Sequence, residues 1–177
     1  HLFLENAAAP ALAQPYLAAA RVAAQGIAER EAAHLAAAEA WARGDTATAA
    51  ESYAAIARAH PADLLATKFA LYHFFNLGRL DRHLDVAAGA AAANPGIAYA
   101  HGMHAFALEQ CDRLAEAEAA GRRAVDMLPR EPWAHHAVAH VMETQGRLDD
   151  GIAWMRANAR HWDDCNSFML THNWWHL

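Results

Sequence analysis

The sequence predicts an all-α fold of stacked antiparallel helix pairs, and three observations carry the prediction. Alanine dominates the 177 residues, Gly and Pro number only 9 and 6, and no segment shows the period-two alternation of a half-buried strand. Pro61, Pro95 and Pro129 stand 34 residues apart. Gly44, Gly78, Asp112 and Gly146 keep the same step, as do Leu80, Leu114 and Leu148. Independent punctuation marks on one 34-residue period define an internal repeat of tetratricopeptide length, whose units stack into an α-solenoid with a right-handed superhelix.

The elements follow in order. Residues 1–29 read as an N-terminal segment and one helix. The first ten residues look loose, and "PYLAAARVAAQG" gives a helix from about Pro15 to Gln25, stopped at Gly26. Four repeats are placed at 30–63, 64–97, 98–131 and 132–165. In each, a first helix ends at the Gly or Asp, which tolerates a left-handed residue, and a second runs to the Pro, which cannot continue it. Ala37, Ala49, Ala90, Ala105, Ala117 and Ala124 fall where helices must approach closely. Residues 166–177, "NSFMLTHNWWHL", read as the first helix of a further, truncated repeat. Its aromatic end is expected to be covered by further repeats of a longer chain.

Charge narrows the partners. The net charge is −6 and Lys68 is the only lysine, so no basic patch is offered to nucleic acid. No apolar run reaches the roughly 18–20 residues of a membrane span, and no basic amphipathic helix is present, so no membrane partner is expected. Cys111 and Cys165 form no CxxC or disulfide framework, and read as free thiols of a reducing compartment, with a cytoplasmic setting expected. No nucleophile elbow, phosphate-cradling loop or cysteine dyad is written in the chain.

In a tetratricopeptide unit the first helix lines the concave groove through its positions 2, 5, 9, 12 and 13. These are Glu31, His34, Ala38, Trp41 and Ala42 in the first repeat, and Leu65, Lys68, Tyr72, Phe75 and Asn76 in the second. The third supplies Tyr99, Gly102, Phe106, Glu109 and Gln110, and the fourth Trp133, His136, His140, Glu143 and Thr144. The predicted ligand groove is therefore aromatic, with Trp41, Lys68, Tyr72, Phe75, Tyr99, Phe106, Trp133, His136, His140 and Glu143 as its candidate contacts.

Two histidine pairs stand apart from this background. His136 and His140, and again His172 and His176, are four residues apart, so each pair shares one helix face. Two histidines at that spacing can hold one metal ion. Glu143 lies about 10 Å along the axis from His136, too far to share its ion, but within reach of His140. Strict counting turns His172 and His176 toward their own partner helix. An extra residue or two in the linker "RHWDDCN", where Asp163 replaces the periodic Pro, would rotate them toward His140. His136, His140, Glu143, His172 and His176 form the candidate metal set, for Zn²⁺ or Fe²⁺. The competing reading has each ring N–H capped by a neighbouring carbonyl in a buried structural patch. His34, His60, His73, His83 and His161 read as surface or turn residues, and His101 and His104 as structural.

"REAAHLAAAEAWARGD", "HPADLLATKFALYHFFNLG", "WAHHAVAHVMETQGRLDDGIAWM" and "CNSFMLTHNWWHL" together resemble the tetratricopeptide repeat protein 38 family over about residues 28–177. The HxVAHxxE and HNxWH words are its most distinctive. The resemblance implies further helical repeats beyond the HNxWH helix and marks His136, His140, Glu143, His172, Asn173, Trp175 and His176. It implies no activity. Two functions remain open: a scaffold whose groove holds a protein, a peptide, a small hydrophobic ligand or its own C-terminal repeats, and a metal-dependent hydrolase- or oxygenase-like enzyme built on the paired histidines.

Overall fold

Local capping sets the helices. In the computed structural model, which describes Leu2 and residues 6–177, ten α-helices and no strand occur among the described residues. His1, Phe3, Leu4 and Glu5, part of the segment predicted to be loose, lie outside them. The helices are α1 (Ala9–Ala23), α2 (Glu29–Ala42), α3 (Thr46–Ala59), α4 (Leu64–Asn76), α5 (Leu80–Ala93), α6 (Ala98–Gln110), α7 (Leu114–Met127), α8 (Pro132–Thr144), α9 (Leu148–Asn158) and α10 (Ser167–Trp175). α1 begins well before Pro15. Pro10 takes the first turn, where its missing N–H costs nothing, and Pro15 lies inside the helix at the expense of one backbone bond.

The turn inside each pair is one repeated device. Gly44, Gly78, Asp112 and Gly146 have φ of 79°, 67°, 60° and 72°. The next residue folds back to close the helix end: Asp45, Arg79, Arg113 and Arg147 donate their N–H to the carbonyls of Ala40, Phe74, Leu108 and Met142 at 2.8–3.0 Å. Asp112 is the single non-glycine residue with positive φ among those described.

The chain divides into two compact units, His1–Val86 and Ala87–Leu177, with the boundary inside α5. In the first unit Ala37, Ala49, Ala66 and Ala70 are fully buried, and Tyr53 and Phe74 fill the space beside them. His73 and His83 are buried as well, which corrects their reading as surface or turn residues. Trp41, Tyr53 and Tyr72 surround His73 at ring separations of 4.5, 6.2 and 5.1 Å. The repeat equivalents of His73 are Glu39, half-buried, and Ala107 and Val141, both buried, so the position is core in the later repeats.

In the second unit Ala105, Ala117, Ala124, Ala134 and Ala137 are fully buried. α7 meets α8 at Gly121, where a built Cβ would stand 2.5 Å from Val138 Cγ2. After α9 a 3-10 turn (Ala159–His161) leads to Trp162, which is fully buried against Ala139 and Met155. That anchor fixes where α10 starts.

Candidate functional site

α8 and α10 each present two histidines to the same point. Glu131 caps α8 by accepting the N–H of Ala134, with Pro132 in the first turn. Asn166 caps α10 by accepting from Met169 N at 2.9 Å. α10 begins at Ser167, one residue later than a 34-residue step from Pro132 places it, and one residue turns a helix face by about 100°. His172 and His176 meet His136 and His140 on α8, which overturns the strict-count expectation that they face their own partner helix.

The four Nε2 atoms converge. His136 and His172 approach to 2.9 Å, His140 and His176 to 3.2 Å, and His172 and His176 to 3.4 Å. One ligand nitrogen from each of the four lies within 4.8 Å of the others. A tetrahedral ion with metal–nitrogen bonds of 2.0–2.1 Å has corners roughly 3.3 Å apart. The spacing fits.

Neutral rings account for two of these approaches as hydrogen bonds, His136 with His172 and His140 with His176. Each Nε2 has one in-plane site, either a proton or a lone pair, so four of them make at most two bonds. The third, His172 to His176 at 3.4 Å, is a contact between rings one turn apart on α10 that brings the two pairs together. Protonation of the cluster is disfavoured. Burial, then the imidazoles of His140, His172 and His176, push His136 down to about 2. Burial and His140 also lower His172, and the same two causes with His172 lower His176 against the raising effect of Glu143.

Aromatic rings close the site. His136 packs on Phe106 and Trp133 at 5.7 and 5.9 Å. His172 lies nearly parallel to both Phe168 and Trp175, at 11° and 13°. Of the candidate metal set, Glu143 stands outside the four-nitrogen group, exposed, with Oε2 3.9 Å from His176 Nδ1. Sequence reasoning placed Glu109 only on the groove, but its Oε1 lies 3.5 Å from His140 Nδ1. Glu109 and Glu143 are one repeat apart, a signal available in the sequence.

The other groove candidates are dispersed between the units. Trp41 and Tyr72 pack with Phe69 and His73 in the first unit, where Lys68 is half-buried and Phe75 exposed. In the second, Tyr99 and Trp133 line a cleft of about 490 Å³ together with Arg130, Arg160, Asp163 and Asp164.

The capped-carbonyl arrangement is also present, on other histidines. His101 and His135, one repeat apart, donate through Nε2 to the carbonyls of Pro95 and Pro129 at 3.0 and 2.9 Å. His135 Nδ1 accepts from Trp162 Nε1 at 3.1 Å. Burial lowers the His135 ring to about 4, so it stays neutral in this role.

No family model matches the chain. It is similar in structure to MamA from Desulfovibrio magneticus RS-1, with TM-score 0.65 and 18% identity over 89% of this chain and 88% of that one. A thermophilic tetratricopeptide-repeat protein of Thermus thermophilus is similar at TM-score 0.66 and 18% identity, over 88% and 85%. This is a tetratricopeptide-repeat fold. At such identity the likeness extends to the fold alone. No helix among the described residues is long and apolar enough to cross a membrane.

Proposed function

We propose that the chain is a helical-repeat binding module that carries a divalent transition-metal centre held by His136, His140, His172 and His176. The convergence of one ring nitrogen from each of four histidines on two helices carries this reading. All-imidazole donors favour Zn²⁺, Fe²⁺ and their neighbours over Mg²⁺ or Ca²⁺. The ligands come from the HxVAHxxE and HNxWH words, so the reading also supports a relation to the tetratricopeptide repeat protein 38 family.

Four protein ligands close a tetrahedral zinc site, the pattern of structural rather than catalytic zinc. The centre pins α10 onto α8 and shapes the aromatic surface around it. That surface, with Phe106, Trp133, Phe168 and Trp175, suits an apolar peptide segment or a small hydrophobic ligand. Glu143 is then no ligand.

Elemental analysis of the protein, purified without a His tag or a nickel column, tests this. The expected result is about one zinc or iron per chain, lost in a His140→Ala, His176→Ala double variant. Six-coordinate iron, with two positions left for small molecules, would move the assignment to an oxygenase-like enzyme. A folded, metal-free protein that takes up neither ion would overturn it.

A further inference from the structure

We propose that Glu109 and Glu143 are positioning residues of this centre, each turning a histidine of the following first helix so that Nε2 faces the ion. The proposal rests on the metal reading above. The two glutamates occupy the same repeat position at the ends of α6 and α8. Each stands beside a ring of the next helix at charge-pair rather than hydrogen-bond separation, Glu109 Oε1 3.5 Å from His140 Nδ1 and Glu143 Oε2 3.9 Å from His176 Nδ1, within reach of a small rotamer adjustment. In both rings the remaining nitrogen points into the four-histidine cluster. A carboxylate at Nδ1 keeps the proton there and leaves the Nε2 lone pair for a metal, the carboxylate–histidine–metal arrangement that fixes tautomer and ring orientation.

The two arms differ in strength. The Glu109 side chain is 10% exposed, and its Oε2 accepts from Gln110 Nε2 at 2.6 Å, which holds Oε1 toward His140. Glu143 is 66% exposed and farther from its ring, so its effect is the weaker. Two carboxylates also balance the two charges of a divalent ion that four neutral imidazoles leave uncompensated. His136 has no such partner, and its buried Nδ1 makes no hydrogen bond.

Competition titration of the full chain with a chromophoric zinc chelator tests the assignment on wild type, E109A, E109Q and E143Q. E109A should weaken zinc binding roughly 10–100-fold, as outer-partner loss does elsewhere. E109Q should fall between E109A and wild type, because an amide oxygen still accepts the Nδ1 proton without the charge. E143Q should change the affinity only a few-fold. Long-range ¹H–¹⁵N spectra of the zinc-loaded wild type should show His140 and His176 protonated on Nδ1 with Nε2 bound, a readout that needs no variant. E109A binding zinc as tightly as wild type would overturn the proposal, as would His140 bound through Nδ1. A wild type that takes up no zinc would instead sink the metal reading, and this one with it.

Discussion

His135 and His136 are neighbours on α8 and serve opposite ends. The His135 face is closed: its two ring nitrogens are taken by the Pro129 carbonyl and the Trp162 indole, and Trp154 bonds to its backbone carbonyl at 3.0 Å. On the other face His136 and His140 meet two more imidazoles and no carbonyl. One face is closed by backbone and indole groups, and the other gathers four imidazoles with the geometry of a metal site. The first unit sharpens the contrast, because the repeat equivalents of His136 and His140 on α4 are Lys68 and Tyr72. The same helix position gathers four imidazoles in one unit and ordinary packing in the other. The helix supplies only a face, and chemistry depends on what the next helix brings to it.

The largest effect expected is on the open face. His136→Ala with His172→Ala should abolish stoichiometric metal, as read by elemental analysis. Chelation of the wild type should raise amide hydrogen exchange across α10, a nine-residue helix too short to persist alone, while α2–α4 keep their protection. Unchanged α10 exchange would break the idea that the metal pins it.

Acid comes next, acting on closed sites in the first unit. Burial lowers His73 to about 4, and burial followed by Lys68 lowers His83 to about 4. The unfolded chain binds these protons near pH 6.5 and the fold resists them until about pH 4. Stability is therefore full above pH 6.5 and is lost as pH falls toward 4, by on the order of 3 kcal/mol per histidine. Urea titrations of the metal-free protein at stepped pH should show this slope, reduced in a His73→Gln variant.

His135→Ala attacks the closed face of α8. It leaves the Pro129 carbonyl and the Trp162 indole unpaired beside a cavity, and should destabilise by about 2–4 kcal/mol while the metal content stays unchanged. Loss of metal together with stability would merge the two faces and defeat the comparison. The smallest effect is local: Asp112→Gly removes a left-handed non-glycine residue and should stabilise by about 0.5–1 kcal/mol in the same denaturation experiment.

Much of the fold was legible because its marks are local. A glycine or aspartate that must turn left-handed, a proline that must stop a helix and an alanine that must let two helices meet each act within a few residues, and a 34-residue period repeats them. His73 was misread because its polar type was taken as exposed, and its repeat position is mixed, with Glu39 half-buried but Ala107 and Val141 buried. The candidate site was half legible. The two His pairs were visible as shared faces, but Glu109 was seen as a groove residue because its partner lies on the next helix.

By itself the sequence determined the all-α class, the period and the pairing of His136 with His140 and of His172 with His176, since spacing along one helix fixes which side chains share a face. Only the tertiary structure decided that the two faces meet. That depends on the aperiodic linker from Ala159 to Asn166, where a 3-10 turn and the burial of Trp162 against α8 and α9 set the rotation of α10. Helix register is local, whereas the angle between helices belongs to the packing of residues far apart in the chain.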